Sequence, residues 1–257
     1  GNMIGIPDDL GAGEYNLTVT TVPDLNHVAV SKQATVTVNK ANSTLTVSDV
    51  TFDYGQRGTA NTTFTGASGI VAVVNDLGAV VEINGNVITI FNLTAGKYRL
   101  TVTTVPDANH EETTEFADVT VNKIDSDVDV AVPVIYYGTS ADVTAIYEGA
   151  TGIVAEIDGK NLTVKGNVIA IPDDLDAGEY NLTVTTVPDS NHNEIAKDFT
   201  FSVNPVNSTL DVDDAETVYG ESVEVNVTYE GATGIVAEID GKNLSVTGNM
   251  IVIPDDL

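Results

Sequence analysis

Residues 12–27, AGEYNLTVTTVPDLNH, return as AGKYRLTVTTVPDANH from Ala95 and as AGEYNLTVTTVPDSNH from Ala177. Spacings of 83 and then 82 residues mean one folded unit written several times over. Within the motif, Tyr15, Leu17 and Val19 alternate with Asn16, Thr18 and Thr20. Period-two alternation predicts a half-buried strand, apolar side inward and hydroxyl side wet. Ala-Gly breaks structure before it, and Val-Pro-Asp with Asn and His ends it in a turn.

A Tyr just after a Gly turn, opening a late strand, resembles the tyrosine corner of immunoglobulin-type sandwiches, whose hydroxyl bonds back to a backbone group a few residues upstream. Tyr15, Tyr98 and Tyr180 hold that place. In antibody domains a Cys follows two residues later; Leu17, Leu100 and Leu182 stand there in this chain.

Other markers keep the same period. Gly-Asn recurs at Gly1, Gly85, Gly166 and Gly248, and Tyr-Gly at Tyr54, Tyr137 and Tyr219. In the copy from Lys123 the alternation predicts strands at 126–132, 133–137, 140–148, 153–157, 160–165, 167–171, 178–187 and 195–203. Asp158-Gly159 signals a tight hairpin between two of them. No segment carries a sustained 3.6-residue apolar period, so no substantial helix is expected. Units break at Asn39-Lys40, Asn122-Lys123 and Asn204-Pro205. The expected organisation is the C-terminal half of a repeat at 1–40 (strands E to G), whole Ig-like domains at 41–123 and 124–205, and the N-terminal part of a repeat at 206–257 (strands A to E). The fold class is all-β, tandem Ig-like β-sandwiches arranged end to end.

The NSTLTV and NSTLDV starts at Asn42 and Asn207, the Tyr-Gly step, the AGxYxLTVT strand and the closing VTVN resemble bacterial Ig-like repeat domains of adhesin-like surface proteins, most of all those of methanogenic archaea. The resemblance implies an extracellular, cell-surface location and a role as stalk or adhesive fibre.

Composition narrows the function classes. With no Cys there is no disulfide framework, thiolate metal site or thiol nucleophile. Acidic residues number 38 against 10 basic, a net charge of −28, which repels nucleic acid. No apolar run approaches the ~20 residues of a membrane helix. The chain begins with Gly1 inside a repeat and reads as a window of a longer protein, so a missing export signal is no sign of a cytoplasmic home.

Candidate sites are few. Nine Asn-x-Ser/Thr triplets, at Asn16, Asn42, Asn61, Asn92, Asn161, Asn181, Asn207, Asn226 and Asn243, are glycosylation acceptors in an exported protein. Alternation places Asn16, Asn61, Asn161, Asn181, Asn226 and Asn243 on outward faces. All three His close the repeated turn, at His27, His110 and His192, where Pro and Asp shape the backbone and His is expected at the rim. Asp125, Asp127 and Asp129 share a strand face, and Asp173, Asp174 and Asp176 crowd one loop. Such oxygen ligands at a domain junction would suit Ca2+, by analogy with cadherins, although a solvated acidic loop is the simpler account and no cofactor is otherwise implied. No carboxylate pair, phosphate loop or Ser/His/Asp arrangement points to catalysis.

The rival reading is a carbohydrate-binding β-sandwich. Trp is absent, Phe64, Tyr147 and Tyr229 share an inward place, and Tyr136 and Phe91 would be the exposed rings to suspect. A Lys–Asn covalent cross-link is also excluded as a shared device, because Lys40 and Lys123 are matched by Pro205 in the third copy.

Residues 1–10 and 248–257 are the same stretch with Gly5 in place of Val252. The partial repeats at the two ends cannot each bury an apolar face alone. Completion by a longer chain, or by another copy head to tail, is therefore expected, together with glycans on host or cell surfaces as possible partners and neither nucleic acid nor membrane within the segment.

Overall fold

The computed structural model describes residues 2–256, and every regular element among them is a strand. They form two compact units. One comprises residues up to 129 with 146–154 and 185–197; the other comprises 130–145, 155–184 and 198 onward.

The first unit contains one entire repeat, 41–123, as two four-stranded sheets. One runs in the order Thr44–Val47, Gly58–Thr65, Val87–Phe91, Val80–Asn84; the other runs Val50–Asp53, Thr114–Asn122, Gly96–Val105, Gly69–Val74. This is the strand order of an immunoglobulin-like sandwich, with the first strand split between the sheets. Its second half pairs parallel with the last strand, from Val119↔Val50 to Asn122↔Asp53. The other ladders within these two sheets are antiparallel, and Ala41–Asn42 pairs parallel with His110–Glu111.

Alternation produces this directly. Gly58–Thr65 buries Gly58, Ala60 and Thr62 and exposes the residues between them. Gly96–Val105 buries Leu100, Val102 and Thr104. The inward sets meet in one core containing Leu45, Phe52, Ile88, Ile90, Leu100, Val102 and Val119. Leu100 is fully buried in the place of the antibody Cys. On the wet faces, Thr hydroxyls pair across strands, Thr44 with Thr65, Thr46 with Thr63 and Thr103 with Thr114, adding a few tenths of a kcal/mol each.

The second unit repeats these registers. Val143 lies opposite Ile169, Val164 opposite Ile169, and Ile135 runs parallel to Val203. Asp158 and Gly159 have φ of 48° and 78°, the conformation a two-residue primed turn requires, and close the pairs Glu156↔Asn161 and Ile157↔Lys160. The third copy forms a four-stranded sheet in the order Thr209–Val212, Val223–Glu230, Met250–Ile253, Ser245–Thr247.

Three stretches depart from the sequence expectation. Instead of strands at 126–132 and 133–137, the chain forms Asp127–Val130 and Ile135–Tyr136, and 131–134, which contains Pro133, carries the irregular crossing between sheets. Residues 2–10, expected as strand E, are not strand, and no strand among the described residues pairs with them. Their near-copy Met250–Ile253 is a strand because Val223–Glu230 lies beside it. Residues 231–237 are likewise irregular, leaving only Glu238–Ile239 of a strand that spans Ala150–Ile157 in the preceding copy.

Each corner Tyr hydroxyl donates to the carbonyl four residues upstream: Tyr15 to Gly11 at 2.8 Å, Tyr98 to Thr94 at 3.0 Å and Tyr180 to Asp176 at 2.9 Å. Replacing Tyr98 by Phe is expected to cost about 1 kcal/mol through an unpaired corner carbonyl. An unchanged melting temperature in Tyr98→Phe would remove that role.

Candidate functional site: the joint between repeats

The repeated Pro-Asp-x-Asn-His turn is built by one carboxylate oxygen. Asp107 Oδ1 accepts from Asn109 N and His110 N, both at 2.8 Å, and from His110 Nδ1 at 2.8 Å. Asp189 does the same with Asn191 N at 2.7 Å, His192 N at 2.9 Å and His192 Nδ1 at 2.7 Å. Asp24 repeats the pattern toward Asn26 and His27. The His side-chain hydrogen bond, followed by the backbone N–H of the Asn, holds the Asp107 and Asp189 carboxyls below the usual carboxylate range. For Asp24 the backbone bond from Asn26 leads and the His27 bond follows. An ionised acceptor fixes the tautomer, so the imidazole proton sits on Nδ1.

The turn projects its Asn across to the corner of the preceding repeat. Asn109 Oδ1 accepts from Ala12 N at 2.8 Å, and Asn191 Oδ1 accepts from Ala95 N at 2.9 Å. A lysine at the repeat boundary reaches back to the same turn. Lys40 Nζ donates to the Asp107 carbonyl at 3.0 Å, and Lys123 Nζ donates to the carbonyls of Asp189 and His192 at 3.2 and 3.3 Å. The chain leaving the boundary pairs at once with the turn, through Ala41 N to Asn109 O and Ile124 N to Asn191 O. Buried hydroxyl pairs, Ser43 with Thr104 and Ser126 with Thr186, lie just beyond. No free linker separates these repeats.

The His do not all lie at the rim. His27 is 78% exposed, but His110 is 33% and His192 16% exposed. Both inner rings press on a glycine with positive φ, Gly66 at 66° and Gly149 at 67°, where a Cβ would come within 2.6 and 2.4 Å of the ring. Glycine is required there twice over, for backbone conformation and for room. His192 also meets the edge of Tyr54 across the joint, centroids 5.5 Å apart at 77°. The sequence had pointed to the turn without its target. One signal was available: Asp, Asn and His recur in all three turns while the residue among them changes from Leu25 to Ala108 to Ser190.

The acidic candidates are engaged or solvated. Asp125 accepts from Asn193 at 3.0 Å, Asp127 pairs with Lys197, Asp129 is exposed, and Asp173, Asp174 and Asp176 lie on an exposed loop. Among the described residues no group of three or more His, Asp or Glu gathers to hold a metal. All nine sequon asparagines are exposed. Asn92 alone of these has positive φ, 63°, and its Nδ2 donates to Gly78 O at 2.7 Å. Of the suspected sugar platforms, Tyr136 is exposed, but Phe91 is not an open ring: the Arg57 guanidinium lies 3.7 Å over its centroid. Arg57 is held there by Glu82 at 3.2 Å, beside a cleft of about 450 Å³ that Phe91 and Tyr54 help to line.

No protein-family model matches the chain, and no curated protein matches it. Among solved structures, it is similar to the fibronectin(III)-like modules of Clostridium thermocellum CbhA at 15% identity, covering 63% of this chain and 95% of that one, TM-score 0.28. An I-band fragment of titin matches at 12% identity over 84% of this chain and 89% of that one, TM-score 0.34. A Drosophila N-cadherin fragment matches at 14% identity over 77% and 59%, TM-score 0.34. What defines the class of this protein is its own strand order: a tandem of Ig-like β-sandwich repeats.

The depressed Asp107 and Asp189 pKa values make a signed prediction. Their contribution to stability is present above the unfolded value, about 3.9, and is lost as pH falls through the lower folded value. Melting temperatures of the wild type and of the Asp107→Asn, Asp189→Asn double variant are expected to converge below about pH 4, with the wild type higher above it. A constant gap down to pH 2 would contradict the role of the ionised carboxylates.

Proposed function

We propose that the chain is a non-enzymatic, extracellular segment of an adhesin-like surface protein, supplying reach and spacing while specific adhesion lies elsewhere in that protein. The observation that carries this reading is the joint made twice from the same Asn, Lys and backbone bonds, without slack between repeats. A part whose task is separation needs reproducible joints more than it needs a pocket. Hydrogen bonds of this kind contribute about 0.5–1.5 kcal/mol each, so several acting together resist bending without making the joint unbreakable.

Surface chemistry agrees with this use. A charge of −28 keeps neighbouring arrays apart over a screening length of roughly 8 Å in physiological salt. The exposed sequons make the segment a glycoprotein on this reading, and the Tyr-Gly, AGxYxLTVT and VTVN motifs of the repeat resemble surface repeats of methanogenic archaea. Strands of eight or nine residues at ~3.3 Å per residue make a repeat roughly 30–40 Å long, and a stalk of three such periods in line is expected to reach ~100 Å. Small-angle scattering of a dilute sample is expected to give a maximum dimension of at least that size, whereas a compact globule would overturn the stalk.

Glycopeptide mass analysis of native material supplies a second check. Occupancy is expected at the strand-face sites Asn16, Asn61, Asn181 and Asn226, with Asn92 lowest because its amide already bonds Gly78. Full occupancy at Asn92 with bare strand faces would contradict this ordering.

A further inference from the structure

Asparagine followed by glycine occurs once in this chain, at Asn84-Gly85, although the reverse pair recurs in every copy. The pair closes the hairpin between Val80–Asn84 and Val87–Phe91, whose last rung is Asn84↔Val87. Gly85 takes φ of 61°, as Gly166 and Gly248 do in the matching turns at 65° and 61°, so glycine belongs to the turn itself. The residue before it does not. Lys165 and Thr247 occupy the place of Asn84 and form the same closing rungs, with Val168 and with Met250. An asparagine there is peculiar to the repeat 41–123 and is not needed to make the turn.

The turn leaves this pair open on its reactive side. Asn86, beyond the glycine, is anchored: its carbonyl accepts from Thr62 N at 2.8 Å and from Thr62 Oγ1 at 3.0 Å. Asn84 and Gly85 are exposed, and among the described residues neither the Asn84 side chain nor the Gly85 N–H makes a hydrogen bond. A Cβ built on Gly85 would meet nothing within 4 Å, so water reaches the peptide nitrogen from an open side. Val80–Asn84 is also the edge strand of its sheet, paired on one flank only, so its end opens locally at low cost.

We propose that Asn84 is a site of spontaneous modification, deamidation through a cyclic imide, and that the product releases the edge strand. The Gly85 peptide nitrogen gives up its proton to solvent and attacks Cγ of Asn84. The N–Cγ bond forms, the Cγ–Nδ2 bond breaks, and the amide nitrogen leaves with a proton as ammonia. Water then opens the ring at either carbonyl, leaving aspartate or isoaspartate. The sum is amide plus water to carboxylate plus ammonium, so water is the one co-reactant. Glycine favours closure because no side chain crowds the attacking nitrogen or resists rotation of Asn84 out of the strand conformation. Isoaspartate routes the backbone through the side-chain carbon, which lengthens a two-residue turn whose register depends on its length. The anchored Asn86 carbonyl keeps Val87–Phe91 in place, so the misfit falls on Val80–Asn84. That strand carries Glu82, whose carboxylate holds Arg57 at 3.2 Å, above the Phe91 ring.

Incubation of the whole chain in mildly alkaline buffer, followed by peptide mapping, is expected to convert Asn84 at least about tenfold faster than any other asparagine, equivalent to about 1.4 kcal/mol in barrier. Isoaspartate among the products identifies the cyclic route, which direct hydrolysis would not give. Asn84→Lys, carrying the residue of the matching turn, is expected to fold alike and to stop the more acidic isoform from accumulating. Asp158-Gly159 and Asp240-Gly241 already hold carboxylates and gain no charge, so anion exchange isolates the Asn84 product. In its isoaspartyl form, hydrogen-exchange protection of Val80–Asn84 is expected to fall at least about tenfold while Leu100 and Val102 keep theirs. Retention of the Asn84 amide while other asparagines convert, or aspartate as the sole product, would overturn the route. Unchanged protection of Val80–Asn84 in the isoaspartyl form would overturn the release of the strand.

Discussion

The carboxylate oxygen at the centre of each Pro-Asp-x-Asn-His turn is the acceptor on which the joints depend. It draws two backbone N–H groups and an imidazole N–H onto one point, and this sets the direction in which the Asn side chain leaves the turn. Asn109 and Asn191 then reach main-chain nitrogens 97 and 96 residues away in sequence. In a chain of net charge −28 another carboxylate at a crowded interface would ordinarily be unfavourable. Three hydrogen-bond donors offset its desolvation, and two of only ten basic residues, Lys40 and Lys123, sit on the neighbouring carbonyls.

Packing within a repeat is economical. A core of Ile, Leu and Val with one or two aromatic rings closes without the Trp or disulfide that many such sandwiches carry. A module of about eighty residues buries only a little over ~60% of its unfolded surface and is marginal alone. Joints that couple neighbours therefore matter to stability as well as to geometry. The outer faces, rich in Thr and acidic residues, supply hydroxyl ladders and charge and so discourage sideways association of exposed sheets.

Much of this was legible in the residues. The period, the alternation of Tyr98, Leu100 and Val102, and the Asp158-Gly159 turn each express a local rule, and local rules are read from neighbours in sequence. The joint was only half legible. Asp107 and His110 are three residues apart and announce a turn, but the partner of Asn109 is far off along the chain. The inward seat of His192 depends on a glycine and a tyrosine from other segments, Gly149 and Tyr54. Phe91 looked open by alternation and is covered by Arg57, a residue of another strand connection.

Two pairs of stretches separate the contributions of sequence and tertiary structure. GATGIVAEID occurs unchanged at 149–158 and at 231–240. In the first it is the strand Ala150–Ile157; in the second only Glu238–Ile239 is strand. GNMIVIPDDL yields the strand Met250–Ile253, whereas the near-identical residues 2–10 form none. Sequence alone determined the repeat, the strand period, the side of each strand that is apolar and the residues of the turns, because these follow from backbone preferences and side-chain polarity. Whether a capable segment becomes a strand was decided by tertiary structure, since its N–H and C=O groups are satisfied only by a partner strand supplied from elsewhere.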